Sequence, residues 1–355
     1  MMSILSSYLM RTILVSTLLV LMVLLALATL FEFISELDNK MGDYGVPQAL
    51  LYSVLRLPQV AFEMLPMATL IGALLGLGAL ASHSEIVVMR VAGLSVGKLA
   101  GMVAMTGVVL MVITALVGEY IGPPLDYFAR SMRNKARFQQ EERYSGNAAW
   151  VKDGPVILYL ERVNSEFEFG GIYLFRFNDD NSLRSIAIAE NAGIDDSDKW
   201  ILENFRETRF LDDSIQVVES ALAVESFDVS GDLLGITLVK PISLSAKGLL
   251  SYIRYLKKNN LSAGQYETEI WSRVSTTVTV VIMPVLALSF VFGSLRAAGS
   301  GGRLMIGVLI GLGYYLASEM IANSGQVYDL NPAFVTWLPS LALLAVTAIA
   351  LGRVR

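Results

Sequence analysis

Gly93-Leu94-Ser95-Val96-Gly97 has the spacing of a nucleophile elbow, where a sharp turn presents a serine hydroxyl and a base removes its proton. That base is ordinarily histidine. The chain's one histidine, His83, stands twelve residues upstream in the same stretch, not on a later segment that could face the serine within a membrane. An intramembrane serine hydrolase using Ser95 is therefore the alternative function, not the leading one. Gly93, Gly97 and Lys98 also fall one residue short of a phosphate-binding loop, with Leu99 where Ser or Thr would hold Mg2+. The chain is thus expected to have no nucleotide site of its own. No His and carboxylate cluster has metal-ligand spacing, so no metal is expected. Cysteine is absent, which excludes disulfides and thiolate sites.

Charge is the second source of chemistry. Arg130, Arg133 and Arg137 follow i, i+3, i+7 and share one face of a helix. Such a run suits a solvated face, and it equally suits bidentate binding of phosphates. Glu63 and Glu319 fall inside apolar runs, where a carboxylate is expensive in lipid. A polar cavity or an interhelix pair is expected around each. Glu119 and Arg273 lie at the ends of such runs and need only local pairing. Between Ser82 and Gly97, an apolar helical stretch (Ile86, Val87, Met89, Val91) begins near Glu85. It would suit docking to an external motor, or serve as a plain connection. Gly72, Gly76 and Gly78, and again Gly307, Gly311 and Gly313, form small-residue stripes that let helices pack closely, within the chain or against a partner.

The elements that must carry these residues are of two kinds. Of 355 residues 54% are hydrophobic and 17% charged, against about 25% charged in a soluble domain. The charges are segregated: residues 122–269 hold 17 of the 27 Lys and Arg and 23 of the 32 Asp and Glu. That insert is net −6, the wrong sign for a nucleic-acid binder. Outside it, six apolar runs are long enough for the roughly 20 residues that cross a bilayer: Thr12–Phe31, Leu57–Ala81, Leu99–Gly118, Val274–Leu295, Leu304–Ala322 and Ala333–Leu351. Helices are required there, because lipid offers the backbone no partner. Ala26-Leu27-Ala28 looks like a signal cleavage site, but the run is longer than a signal h-region, which predicts an uncleaved anchor.

Short-loop charge sets the orientation. With the N-terminus inside, inner segments hold Arg11, Arg90, Lys98, Arg296, Arg303, Arg353 and Arg355 against Glu85. Outer loops hold Lys40 and Arg56 against Glu32, Glu36, Asp38, Asp43 and Asp329. Positive charge stays inside, so both termini are expected in the cytoplasm and the insert outside. The insert reads as short strands (150–151, 156–160, 172–177, 185–190, 200–205 and 215–222) broken by Asp-Gly, Gly-Gly and acidic turns. Leu249, Tyr252, Ile253 and Leu256, opposite Lys247, Ser251, Arg254, Lys257 and Lys258, make an amphipathic helix, either on the membrane surface or packed on the β-domain. The expected architecture is a membrane all-α bundle of six transmembrane helices with an inserted all-β, jelly-roll-like domain. Its parts are 1–121 (three spans, with a docking helix near 82–97), 122–244 (the β-domain and its leading helix), 245–269 (an amphipathic connecting helix) and 270–355 (three spans).

Ser84-Glu85-Ile86-Val87-Val88-Met89, followed by Ala92-Gly93-Leu94-Ser95, resembles the loop of the LptF/LptG lipopolysaccharide-export permease family. So do Pro66-Met67 and Leu70-Ile71-Gly72-Ala73-Leu74-Leu75-Gly76-Leu77-Gly78. Trp150-Val151-Lys152-Asp153-Gly154, Tyr159-Leu160-Glu161-Arg162-Val163, Tyr252-Ile253-Arg254-Tyr255-Leu256-Lys257 and Phe292-Gly293-Ser294-Leu295-Arg296 are similar to the LptG branch. The resemblance runs in order over nearly the whole chain. It implies a non-enzymatic permease half that pairs with an LptF-type sister on an LptB-type ATPase dimer. ATP and Mg2+ would belong to that ATPase, with no cofactor in this chain. The pair would extract lipopolysaccharide from the inner membrane into a central cavity and pass it through an LptC-type bitopic protein. The resemblance also implies that Glu85, Ile86, Met89 and Arg90 form the ATPase-coupling helix. It further implies that Arg130 and Arg133, with Arg137 and Lys40 as further candidates, stand above the cavity as lipopolysaccharide-binding bases. A mechanotransmitting permease that moves no lipid itself is the second alternative. Two departures stand out: Glu32 occupies a corner where some members place Lys, with Lys40 the nearest base, and Ser294 replaces a frequent Pro.

Overall fold

The computed structural model describes residues 4–37, 44–138, 149–161, 168–169, 171–195, 199–211, 213–227, 241–292 and 299–353. Lys40, Asp38, Asp43, Ser294, Arg296 and Arg355 lie outside them. The chain forms two compact units, one of residues up to 40, 44–133 and 264–355, the other of 41–43 and 134–263.

The first unit is helical. Its elements are α1 (Ile4–Leu37), α2 (Val46–Leu55), α3 (Leu57–Ser82), α4 (Glu85–Val91) and α5 (Val96–Leu116). A π-helical turn (Val117–Ile121) then leads without a break into α6 (Gly122–Phe138). Past the insert come α8 (Gly264–Phe292), α9 (Ser300–Val327) and α10 (Pro332–Gly352). Among the described residues, six helical segments are long and apolar enough to cross a membrane: α1, α3, the α5–α6 rod as far as Arg133, α8, α9 and α10. Start signals are local. Ser95 caps α5, its Oγ accepting from the Lys98 amide at 3.3 Å, and Asn331 caps α10, accepting from Ala333 at 3.0 Å. Pro47, Pro58 and Pro332 sit in first turns, where a missing N–H costs nothing.

Helix α3 is the hub, largely enclosed, while α1 and α9 leave most of their surface outward. Its glycine stripe explains how. A Cβ on Gly72 would lie 2.4 Å from the Cα of Thr17 on α1, and one on Gly76 would lie 2.9 Å from Ser16 Oγ. From the other side, Gly307 and Gly311 of α9 are filled by Leu74 and Met67. Gly78 receives the stem of Arg303, whose Nη2 donates to Ser82 Oγ at 2.9 Å. The stripes therefore pack within the chain, except Gly313, which faces open space. Hydroxyls do similar work elsewhere: Ser275 and Thr279 of α8, Tyr314 of α9 and Ser340 of α10 meet at 2.7–3.0 Å, buried between three helices.

The second unit is one curled antiparallel sheet: β1 (Ala149–Asp153), β2 (Val156–Leu160), β3 (Glu168–Phe169), β4 (Ile172–Phe177), β5 (Leu183–Ala189), β6 (Asn191–Ile194), β7 (Trp200–Leu211) and β8 (Ser214–Glu225). Strand order is β1-β2-β4-β5-β7-β6-β3, with β8 against the other edge of β7. One edge of β7 pairs first with β6 and then with β5, and that double use curls the sheet. Alternation sends Leu158, Leu160, Ile172, Leu174, Ala187 and Leu202 into its core. β7 and β8 run past the expected strands, because they pair with each other along their whole length, from Trp200 opposite Glu225 to Leu211 opposite Ser214. The helix α7 (Ala246–Lys258) belongs to this domain. It buries Leu249, Tyr252, Tyr255 and Leu256, and the Tyr255 hydroxyl accepts from Lys152 N at 3.1 Å and donates to Lys152 O at 2.9 Å. The helix thus packs on the β-domain.

Candidate functional site

The motif residues come first. Ser95 spends its hydroxyl on the α5 cap, and His83 Nδ1 meets the Ala79 carbonyl of its own helix at 2.9 Å. Neither is arranged as a nucleophile with its base. Among the described residues, no three His, Asp or Glu side chains converge to hold a metal ion.

At the end of the bundle that carries Ser95, α4 forms a short platform. Ser84 takes a left-handed backbone, φ 61°, and turns the chain out of α3. Glu85 then opens α4, where its charge favours the helix N-terminus. The two faces of this helix differ sharply in exposure. Ile86 and Met89, expected at a partner surface, are 3% and 7% exposed and pack into the bundle's apolar cluster. The outward face is Val87, Val88, Arg90 and Val91, with Val88 65% and Val91 83% exposed. Glu85 accepts from the Tyr8 hydroxyl at 2.9 Å, and the Arg90 guanidinium lies 5.6 Å over the Phe292 ring.

At the opposite end, a charged cluster joins α1, α2, α3 and α6. Arg56, at the α2–α3 junction, donates to Glu32 through Nη1 and to Asp126 Oδ1 through Nε at 2.8 Å. Asp126, fully buried, also accepts from Arg130 Nε at 2.7 Å. Arg133 donates to Glu36 Oε1 at 2.9 Å, and the Tyr44 hydroxyl donates to Glu36 Oε2 at 3.0 Å. The buried Tyr52 ring lies under two guanidiniums, 4.7 Å from Arg133 and 5.7 Å from Arg56. Three arginines thus meet three carboxylates. Arg130 and Arg133 are not free bases, and Glu32, out of place in the sequence pattern, is the partner of Arg56. Each guanidinium has five N–H groups, so the bonds named here do not exhaust its donors. Arg133 Nε is buried without a hydrogen-bond partner. For Arg137 only the helical backbone is described.

The intramembrane acids have humbler partners than expected. Glu63 accepts from Gln59 Nε2 at 3.1 Å, and Glu319 from Asn323 Nδ2 at 3.2 Å, each one turn away on the same helix. Neither makes an interhelix ion pair with another described residue. Arg273 pairs with Glu269 at 2.9 Å and faces Glu119 at 4.0 Å. Sequence reasoning missed α2, Tyr44, Tyr52 and Asp126. Only the i, i+4 spacing of Asp126 and Arg130 could have signalled part of this cluster.

Six spans, a platform at one end, a self-paired charge cluster at the other and an inserted curled sheet define a multi-pass membrane protein. Comparison with known proteins makes this specific. Residues 7–353 match the family described as lipopolysaccharide export system permease LptF/LptG. The chain is 32% identical to the lipopolysaccharide export system permease protein LptG of Escherichia coli K12, over 99% of this chain and 98% of that protein. It is 31% identical to LptG of Haemophilus influenzae over 99% of both. LptF of Escherichia coli K12 is 22% identical over 96% and 93%. The chain belongs to the LptF/LptG permease family, a transporter component and not an enzyme.

Proposed function

We propose that this chain is the LptG-type half of the transporter that extracts lipopolysaccharide from the bacterial inner membrane and drives it toward the outer membrane. It pairs with an LptF-type sister permease on an LptB-type ATPase dimer, which binds ATP and Mg2+, and hands lipid to an LptC-type bitopic protein. Both termini lie in the cytoplasm and the β-domain in the periplasm. The positive bias of the short segments beside α4, with Arg90, Lys98 and Arg303, supports that orientation.

The observation that carries the coupling reading is α4: a seven-residue helix anchored by Ile86 and Met89 that turns Val87, Val88 and Val91 outward. Exposed valines on an anchored helix favour a partner surface. Introducing Val88→Glu with Val91→Glu should abolish co-purification of the ATPase while membrane insertion and thermal midpoint stay unchanged. Undiminished co-purification would remove α4 as the docking element. Glu85→Ala should uncouple lipid release from ATP hydrolysis. Apolar walls suit acyl chains, and the remaining donors of Arg130 and Arg133 suit phosphates. The carboxylate pairing of those arginines favours a second reading, a mechanotransmitting permease that moves no lipid itself. Reconstitution with sister permease, ATPase and lipopolysaccharide separates the two, since only the first extracts lipid.

A further inference from the structure

A seven-residue helix does not hold its own place in water, because nucleation is costly and propagation brief. Apolar packing among α1, α3, α5 and α8 holds α4, and polar contacts from α1 and α8 fix its two ends. Ile86 and Met89 enter the apolar cluster that contains Leu9 and Ile13 of α1 and Leu288 and Val291 of α8. At its first residue, Glu85 receives the Tyr8 hydroxyl on Oε2 at 2.9 Å. Near its last, Arg90 lies over Phe292, the final residue of α8.

We propose that Tyr8 is a positioning residue for ATP-driven transport: its hydroxyl fixes one carboxylate oxygen of Glu85, aims the other at the docked ATPase, and ties the first span to the docking helix. This rests on the docking reading above. A glutamate at the start of a short helix samples several rotamers, and a partner that must order it loses affinity in doing so. Tyr8 orders it beforehand. The carboxylate keeps capacity for a second donor, because each oxygen carries its own lone pairs. The tie also has somewhere to transmit. α1 crosses α3 without slack at Thr17 and Gly72, and its far end is held by Glu32 to Arg56 and by Glu36 to Arg133. Displacement of α4 is therefore felt along the whole first span.

The test uses the full complex of this chain, sister permease and ATPase, with the ATPase in excess, in liposomes containing lipopolysaccharide. Tyr8→Phe removes one O–H and keeps the ring. Lipid released per ATP hydrolysed should fall roughly three- to tenfold, the scale of one lost hydrogen bond to a charged group at a partly solvated site. Thermal midpoint should stay at the wild-type value, which a merely structural role would not allow. In a Glu85→Ala background Tyr8→Phe should change nothing further, because there is no carboxylate left to position. Wild-type coupling in Tyr8→Phe, with Glu85→Ala uncoupled, would overturn the proposal and leave the docking reading standing. A full additional loss in the double variant would overturn it as well. If Glu85→Ala itself transports normally, the docking reading and this proposal fall together.

Discussion

The two ends of the membrane unit solve opposite problems. At the end built around α4, apolar side chains are left uncovered: Val88 and Val91 point away from the bundle while Ile86 and Met89 anchor it. At the other end every described arginine of the cluster is covered by the chain's own carboxylates. One surface leaves apolar side chains open; the other meets its charges with the chain's own opposite charges. A partner can therefore dock on α4 at little internal cost, whereas an anionic ligand at the far end must compete with Glu32, Glu36 and Asp126 or use the donors they leave.

The sharpest way to break this contrast is at Asp126, which accepts from both Arg56 and Arg130 while fully buried. Asp126→Ala strands the Arg130 guanidinium and leaves Arg56 with Glu32 alone. It should lower stability by about 3 kcal/mol, the scale for removing one partner of a buried ion pair, read as a fall in thermal midpoint in detergent. Val88→Glu at the opposite end should leave that midpoint in place. Equal destabilisation by the two changes would show that the docking end is as internally committed as the rim.

A milder pair of changes asks whether the rim meets lipid at all. Arg130→Lys with Arg133→Lys keeps both charges beside Asp126 and Glu36 but loses the planar fork that binds phosphate in two bonds. Folding should survive, and stimulation of ATPase activity by lipopolysaccharide should drop a few-fold. Unchanged stimulation would assign the arginines to holding α1, α3 and α6 together and nothing more.

What the sequence disclosed follows from the range of each signal. The six spans were legible because twenty apolar residues in a row need no neighbour to be recognised. The helix at Glu85 was legible too, but not its facing. On a seven-residue stretch that is apolar almost all round, periodicity is silent, and the left-handed turn at Ser84 decides which residues go inward. The rim was hidden for a related reason. Arg133 and Glu36 are 97 residues apart, and Arg56 and Glu32 are 24 apart on different helices, so no local spacing announces them. Ten residues are too few for a span, so α2 passed as an outer loop, and with it Tyr52, on which two arginines rest. In the β-domain the length of β7 and β8 was hidden, because alternation breaks at Glu203 and Asn204 in β7 and β8 is exposed on both faces; their pairing, not their pattern, sets their length.

The same habit of self-covered charge recurs outside the membrane, where pH can probe it. Glu207 of β7 is buried in the curled sheet and accepts from Ser185 Oγ at 2.7 Å and Arg209 Nε at 2.9 Å, with Arg176 bridging it to Glu225. Burial alone would push this carboxyl up. The Ser185 hydroxyl and the guanidiniums of Arg209 and Arg176 outweigh it and hold Glu207 below the usual carboxylate range. A carboxyl depressed in the folded state adds stability that is fully present above its unfolded value, near pH 4.3. That stability is lost as pH falls through the lower folded value. Near neutral pH the β-domain should therefore show no dependence from this group, and below about pH 4 its unfolding midpoint should decline. Glu207→Gln should flatten that decline while lowering stability at neutral pH. An unchanged acid slope in Glu207→Gln would mean that other carboxylates govern the acid response, and that self-covering of charge carries weight only at the membrane rim.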